Sequence, residues 1–219
     1  EVANHTMALI LALVKQLKPY DELIQEKQVY RFRELEAPVK ISRQKLAIVG
    51  YGRIGRAVAK RAAVFGFEIL AVTRHREQYG KKENGATYVS VEEALKEADI
   101  VSNHMNQTPE NEDYFDWDKF CQMKKTAYFV NVGRGVCVSE TALARALDEG
   151  EIAGAGLDVL KGTQPDLEKT NLCHRPNVIL TPHSAFYSKE VMEFLAETPA
   201  RNVIYYFGGQ KNKISNIVC

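Results

Sequence analysis

Apolar residues recur at helical spacing over residues 2–16 (Val2, Met7, Ile10, Leu11, Val14), which predicts an amphipathic helix. The stretch 18–42 is charged and irregular, with Pro19 and Pro38 as breakers. From Lys45 the pattern changes. Compact apolar runs predict strands over 46–49, 68–73, 87–89, 99–104, 127–132, 153–159 and 177–180. Periodic segments between them predict helices over 53–65, after Ser90, over 116–123 and over 139–149, with a closing helix over 189–207. Ser90 and Glu93 have the spacing of a capping box. Short apolar strands alternating with helices imply an α/β fold, a doubly wound parallel sheet of six or seven strands. The chain has no internal repeat and no low-complexity tract.

The segment 50–55, GYGRIG, links the first strand of this alternation to its first helix. Gly50 permits a tight turn, Gly52 lets the backbone approach a pyrophosphate, and Gly55 allows the helix to pack closely on the strand. Arg53 and Ile54 open the helix, whose free N–H groups and positive dipole end suit phosphate. A glycine turn can be mere punctuation. Placed between a strand and a helix, it predicts a Rossmann-type dinucleotide site. A site that prefers NAD ends its second strand with a carboxylate for the ribose hydroxyls. Here that strand runs into Thr73, Arg74, His75 and Arg76. The absent acid and the two arginines favour NADP over NAD, since guanidinium suits a 2′-phosphate. Solvated surface charge is the plainer alternative for both arginines.

Composition narrows the field. The 219 residues carry 29 Lys and Arg against 28 Asp and Glu, so the chain lacks the basic face of a nucleic-acid or membrane-surface binder. The apolar run Met7 to Val14 is too short to span a bilayer and lacks a signal peptide's basic leader and small-residue cleavage site, so it is expected to be neither. Cys121, Cys137, Cys173 and Cys219 are scattered without a CxxC pair, as expected of reduced thiols in a cytoplasmic protein. Glu1 falls inside a helical pattern, so the chain is expected to be a piece of a longer protein.

Three more segments complete a pattern: NVGRG (131–135) at a strand end, GAGLDV (154–159) along a strand, and TPHSAFYS (181–188) after another. With GYGRIG, in this order and spacing, the chain resembles the D-isomer-specific 2-hydroxyacid dehydrogenases, nearest in wording to their D-lactate dehydrogenase-like branch. The segment from Glu1 to Leu9 resembles the helix that leads into that family's cofactor domain. The resemblance implies three parts: an opening helix and connection (1–44), a dinucleotide-binding domain (45–185), and a closing helix (186–219) that begins the return to an otherwise absent substrate domain.

It also implies residue roles. Arg134 corresponds to the arginine that binds a 2-oxo acid's carboxylate and polarises its carbonyl, and His183 to the general acid. Asp158 matches the residue that orients the nicotinamide carboxamide. Met105, Asn106, Val132 and Gly133 match positions lining the cofactor cleft, and Phe186 a wall of the substrate pocket. A small 2-oxo or 2-hydroxy acid is the implied partner, and a homodimer the implied assembly. One position departs from the family: a glutamate pairs there with the histidine, and this chain has Thr163 or Gln164, followed by Asp166 and Glu168. That departure leaves room for a nucleotide-sensing, corepressor-like module with little catalysis. His5 is expected on a helix face, His75 beside the ribose loop and His174 in a surface connection, while His104 borders the cleft without an assigned role. Cys173 and His174 lack a second ligand pair, so no metal site is expected.

Overall fold

The computed structural model describes residues 1–162 and 164–215. It divides into two compact units, Val2–Ala185 and, with Glu1, Phe186–Cys219.

The first unit opens with α1 (Val2–Val14) and α2 (Leu17–Gln25). The alternation follows: β1 (Lys45–Val49), α3 (Arg53–Phe65), β2 (Glu68–Val72), β3 (Lys82–Glu83), β4 (Ala86–Val89), α4 (Val91–Glu97), β5 (Ile100–Asn103), α5 (Trp117–Cys121), β6 (Tyr128–Asn131), α6 (Glu140–Asp148), β7 (Gly154–Leu157) and β8 (Val178–Leu180). In space the sheet runs β3-β4-β2-β1-β5-β6-β7-β8. Among the described residues only the β3–β4 pair is antiparallel. The chain winds outward in both directions from β1, so the loops after β1 and β5 diverge there and leave a crevice.

Both sheet faces are covered, which is why the strands read as continuous apolar runs. On one face Leu46, Ile48, Ile100 and Val130 pack against Ile10, Leu13 and Val14 of α1 and Val58 and Ala62 of α3. On the other, Val49, Val101 and Phe129 meet Leu95, Phe115, Phe120 and Leu143. Ser90 caps α4 by accepting the Glu93 N–H (3.1 Å), and Asp116 caps α5 through Lys119 N–H (3.0 Å).

The structure corrects three expectations. The opening helix stops at Val14, and the stretch expected to be irregular contains α2. Pro19 does not break α2, because it is the helix's third residue, where a backbone N–H has no intrahelical acceptor to lose. Among the described residues the doubly wound parallel sheet has eight strands, not six or seven, because β3 adds an antiparallel edge. Asn84 and Gly85, at φ 50° and 84°, turn β3 into β4 in the left-handed region that a two-residue hairpin requires.

The second unit is dominated by α7 (Lys189–Phe207), capped where Ser188 Oγ accepts the Val191 N–H (3.2 Å). Among the described residues no helix is long and apolar enough to cross a membrane, and no group of three His, Cys, Asp or Glu is placed to hold a metal.

Candidate functional site

The glycine turn lies where the strand order reverses. Gly50 sits at φ 94°, and a Cβ there would lie 2.6 Å from the His104 carbonyl carbon, so neither backbone nor space admits a side chain. A Cβ on Gly55 would lie 2.6 Å from Gly50 O, which explains how α3 lies so close to the turn. Gly52 differs. Nothing lies within 4 Å of a Cβ built there, so the space above the turn is open, as a pyrophosphate cradle requires. Arg53 and Ile54, both exposed, follow Gly52 at the helix start, where backbone N–H groups lack intrahelical acceptors.

Beyond β2, Thr73 Oγ1 donates to Gln78 Oε1 (3.2 Å) and accepts the His75 N–H (3.2 Å). Arg74 and Arg76 are exposed. The nearest following acid, Glu77, lies 3.4 Å from His75 Nδ1.

Two asparagines organise the next loops. Asn103 and Asn131 stand side by side at the carboxyl ends of β5 and β6 and are both buried. Asn103 Nδ2 donates to Asn131 Oδ1 (3.0 Å), which also accepts the Gly133 N–H (3.1 Å). Asn103 Oδ1 accepts the Met105 N–H (3.0 Å), and Asn131 Nδ2 donates to Arg134 O (3.1 Å). One amide pair thus ties the loop of Met105 and Asn106 to that of Val132, Gly133 and Arg134. The sequence reading missed this pair, because a polar residue ending a strand carries no signal of its neighbour.

His104 follows directly. Its Nε2 bonds Ser102 Oγ (2.9 Å), while Nδ1 is buried with no partner among the described residues. Burial pushes its pKa down to about 4. Below pH 6.5 an unfolded imidazole gains a proton that folded His104 refuses until about pH 4. The contribution of His104 to stability is therefore complete above pH 6.5 and lost as pH falls through that window, by up to about 3 kcal/mol at roughly 1.4 per unit. His104→Gln should flatten the pH dependence of the urea midpoint between these limits. An unchanged slope would show that other groups govern acid unfolding.

Beyond the carboxyl ends of β6, β7 and β8 lies a cavity of about 710 Å³, lined by Arg134, Gly135, Asp158, Thr181 and His183 among others. Arg134 is exposed, its Nη1 donating to Gly133 O (2.8 Å). His183 adopts φ 54° and its N–H bonds Asp158 O (2.8 Å). Asp158 itself is buried. Its Oδ1 accepts from Thr181 Oγ1 (2.6 Å) and Ser184 N–H (2.9 Å), its Oδ2 from Ala185 N–H (3.0 Å). Asp158 therefore shapes the loop that carries His183, a function its sequence context did not announce.

Thr163 lies outside the described residues, and Gln164 is exposed. Asp166 bonds Lys169 (2.9 Å) and the Glu168 N–H (3.1 Å), and Lys169 lowers its pKa. Asp158 is the one acid among the described residues lining the cavity. Phe186 stands exposed at the start of the second unit, and its expected place as a pocket wall rests on the resemblance.

Fold and turn together define a Rossmann-type dinucleotide-binding domain. Residues 7–185 match the D-isomer specific 2-hydroxyacid dehydrogenase family, NAD binding domain, and the chain belongs to that family. It is 37% identical over 213 residues to a glyoxylate reductase of Pyrococcus furiosus, covering 95% of this chain and 63% of that protein. To a glycerate dehydrogenase of Methylorubrum extorquens it is 31% identical over 219 residues, covering 97% and 67%. The D-lactate dehydrogenase of Aquifex aeolicus, complexed with NAD and lactic acid, superposes with TM-score 0.87 at 30% identity, covering 97% of this chain and 68% of that one. An acyclic imino acid reductase in complex with NADPH and D-Arg gives 0.84 at 27%, covering 100% and 67%. The chain thus spans less than two thirds of the length of the glyoxylate reductase it matches.

Proposed function

We propose that this chain is the cofactor-binding part of a dehydrogenase that exchanges a hydride between NAD(P)H and a small 2-oxo acid, giving the D-2-hydroxy acid. The observation that carries it is the convergence of Arg134 and His183 on one cavity beyond the sheet's carboxyl edge. The nicotinamide, when bound, supplies or takes the hydride. The open space over Gly52 and the start of α3 would hold the pyrophosphate. Arg134 meets the substrate carboxylate with its guanidinium fork and polarises the ketone. His183 gives a proton to the carbonyl oxygen in reduction and takes it back in oxidation. Asp158 holds His183 in place through the 181–185 backbone, and its walls of the same cavity are where a carboxamide would be oriented. The test is consumption of reduced cofactor by the complete protein with glyoxylate, hydroxypyruvate or pyruvate. Cofactor binding without turnover on any 2-oxo acid would point instead to a nucleotide-sensing module. Pairing of two copies and a cytoplasmic setting belong to the same proposal, the first being checked by sedimentation.

The preference for NADP over NAD is part of this proposal. Thr73 replaces the repelling carboxylate, and exposed Arg74 and Arg76 follow it. Each charge-assisted bond to a 2′-phosphate contributes roughly 1.5–3 kcal/mol, less when exposed. NADPH is therefore expected to bind about tenfold to a hundredfold tighter than NADH. Titration of this chain followed by nicotinamide fluorescence should show that advantage shrinking as salt rises. Thr73→Asp with Arg74→Ala should reverse the order, and equal affinities would leave both arginines as surface charge.

A further inference from the structure

His5 lies on α1, 176 residues from Thr181 in sequence, yet its Nε2 is 2.9 Å from Thr181 Oγ1 and 3.6 Å from Asp158 Oδ1. The direction of these bonds follows from counting hydrogens. Asp158 receives the Ser184 N–H at one oxygen and the Ala185 N–H at the other, so its carboxylate acts as an acceptor on both. The single hydroxyl hydrogen of Thr181 points to Asp158 at 2.6 Å. Towards His5, Thr181 then offers only a lone pair. The imidazole must therefore carry its hydrogen on Nε2.

We propose that His5 is a positioning residue of the dehydrogenase site: as an Nε2–H donor it holds Thr181 and Asp158, and through them the loop that presents His183. The proposal rests on the hydride-transfer assignment above. α1 is a firm anchor, since Ile10, Leu13 and Val14 of the same helix are buried against the sheet. The loop needs an anchor, because His183 is held at φ 54°, a conformation that costs a non-glycine residue energy unless its surroundings impose it. The contact lies in the part-buried layer beside the cavity, where a hydrogen bond is less diluted by water than at the surface. His5 touches no reacting atom; its effect reaches the chemistry through Asp158 and the main chain of residues 181–185.

The test compares His5→Leu with His5→Gln, whose terminal amide can place an N–H where Nε2 stands. In the complete enzyme His5→Leu should lower kcat about tenfold, a loss in the range expected of a small misplacement of a catalytic group. KM for the 2-oxo acid should stay nearly constant, since Arg134 lies on another loop. His5→Gln should recover most of kcat. In the wild-type chain, ring nitrogen shifts should report the Nε2–H form, and amide exchange at Ser184 and Ala185 should quicken in His5→Leu but not in His5→Gln. Equal kcat in the wild type and His5→Leu, no recovery in His5→Gln, or an Nδ1–H ring would overturn the positioning role while leaving the enzyme assignment intact. A wild-type protein without turnover on any 2-oxo acid would overturn both, and is distinguished by needing no variant at all.

Discussion

His183→Ala in the complete enzyme is expected to lower kcat for reduction of the best 2-oxo acid by about 10²–10⁴-fold, the usual contribution of a positioned general acid. The loss should be chemical and not structural. The loop is held by backbone bonds that survive the substitution, from His183 N–H to Asp158 O and from Ser184 and Ala185 N–H to the Asp158 carboxylate. Cofactor affinity should accordingly be unchanged, because the Gly50 to Gly55 turn follows β1, with β5, β6 and β7 between it and the β8 that His183 follows. Arg134→Ala should differ in kind, raising KM as well as lowering kcat, and Arg134→Lys should recover little, since an ammonium cannot make the paired contact of a guanidinium. Steady-state kinetics with both substrates varied separates the two patterns. Near-normal turnover in His183→Ala would remove histidine from the proton transfer.

What could be read in advance divides along a physical line. The β1–turn–α3 unit was legible, because its glycines answer to local demands of backbone and space that hold in any chain. Most strands were legible to within a few residues, because burial on both faces leaves an unbroken apolar run. The β3–β4 hairpin was not read, although Asn84 and Gly85 are its signature; β4 was expected over 87–89, but β3, with two residues, is too short to show alternation. Helix α2 was hidden by Pro19, which ends a helix in its interior but not in its first turn. At the site, Arg134 and His183 stood out through their motifs, whereas Asn103, Asn131 and His5 did not. Each of these acts through a partner from a distant part of the chain, and no local pattern records who that partner is.

Gly135→Ala is expected to damage the site while sparing the cofactor turn. A Cβ on Gly135 would lie 1.9 Å from Leu160 O and 2.1 Å from Leu160 C, with Lys161 N at 2.7 Å. All three atoms are backbone, so no side-chain rotation relieves the collision. The loop carrying Arg134 and the segment leaving β7 must separate by more than 1 Å to reach ordinary contact, about 3.5 Å. Both segments line the cavity, through Arg134 on one side and Asp158 and Val159 on the other. The separation therefore widens the gap between the carboxylate-binding arginine and the loop of His183, and a misplacement of this size costs about 10²-fold in turnover. Overpacking should also remove about 1–3 kcal/mol of stability, visible as a lower urea midpoint. Gly52→Ala should show the reverse pattern. Nothing lies within 4 Å of its Cβ, so stability should hold, but the methyl group fills the cradle and nicotinamide-cofactor affinity should fall. Urea unfolding, cofactor titration and turnover on both variants give the comparison. If Gly135→Ala kept normal turnover and stability, the contact between the Arg134 loop and Leu160 would not be what spaces the site. If Gly52→Ala bound cofactor like the wild type, the pyrophosphate would have to lie elsewhere than over that glycine.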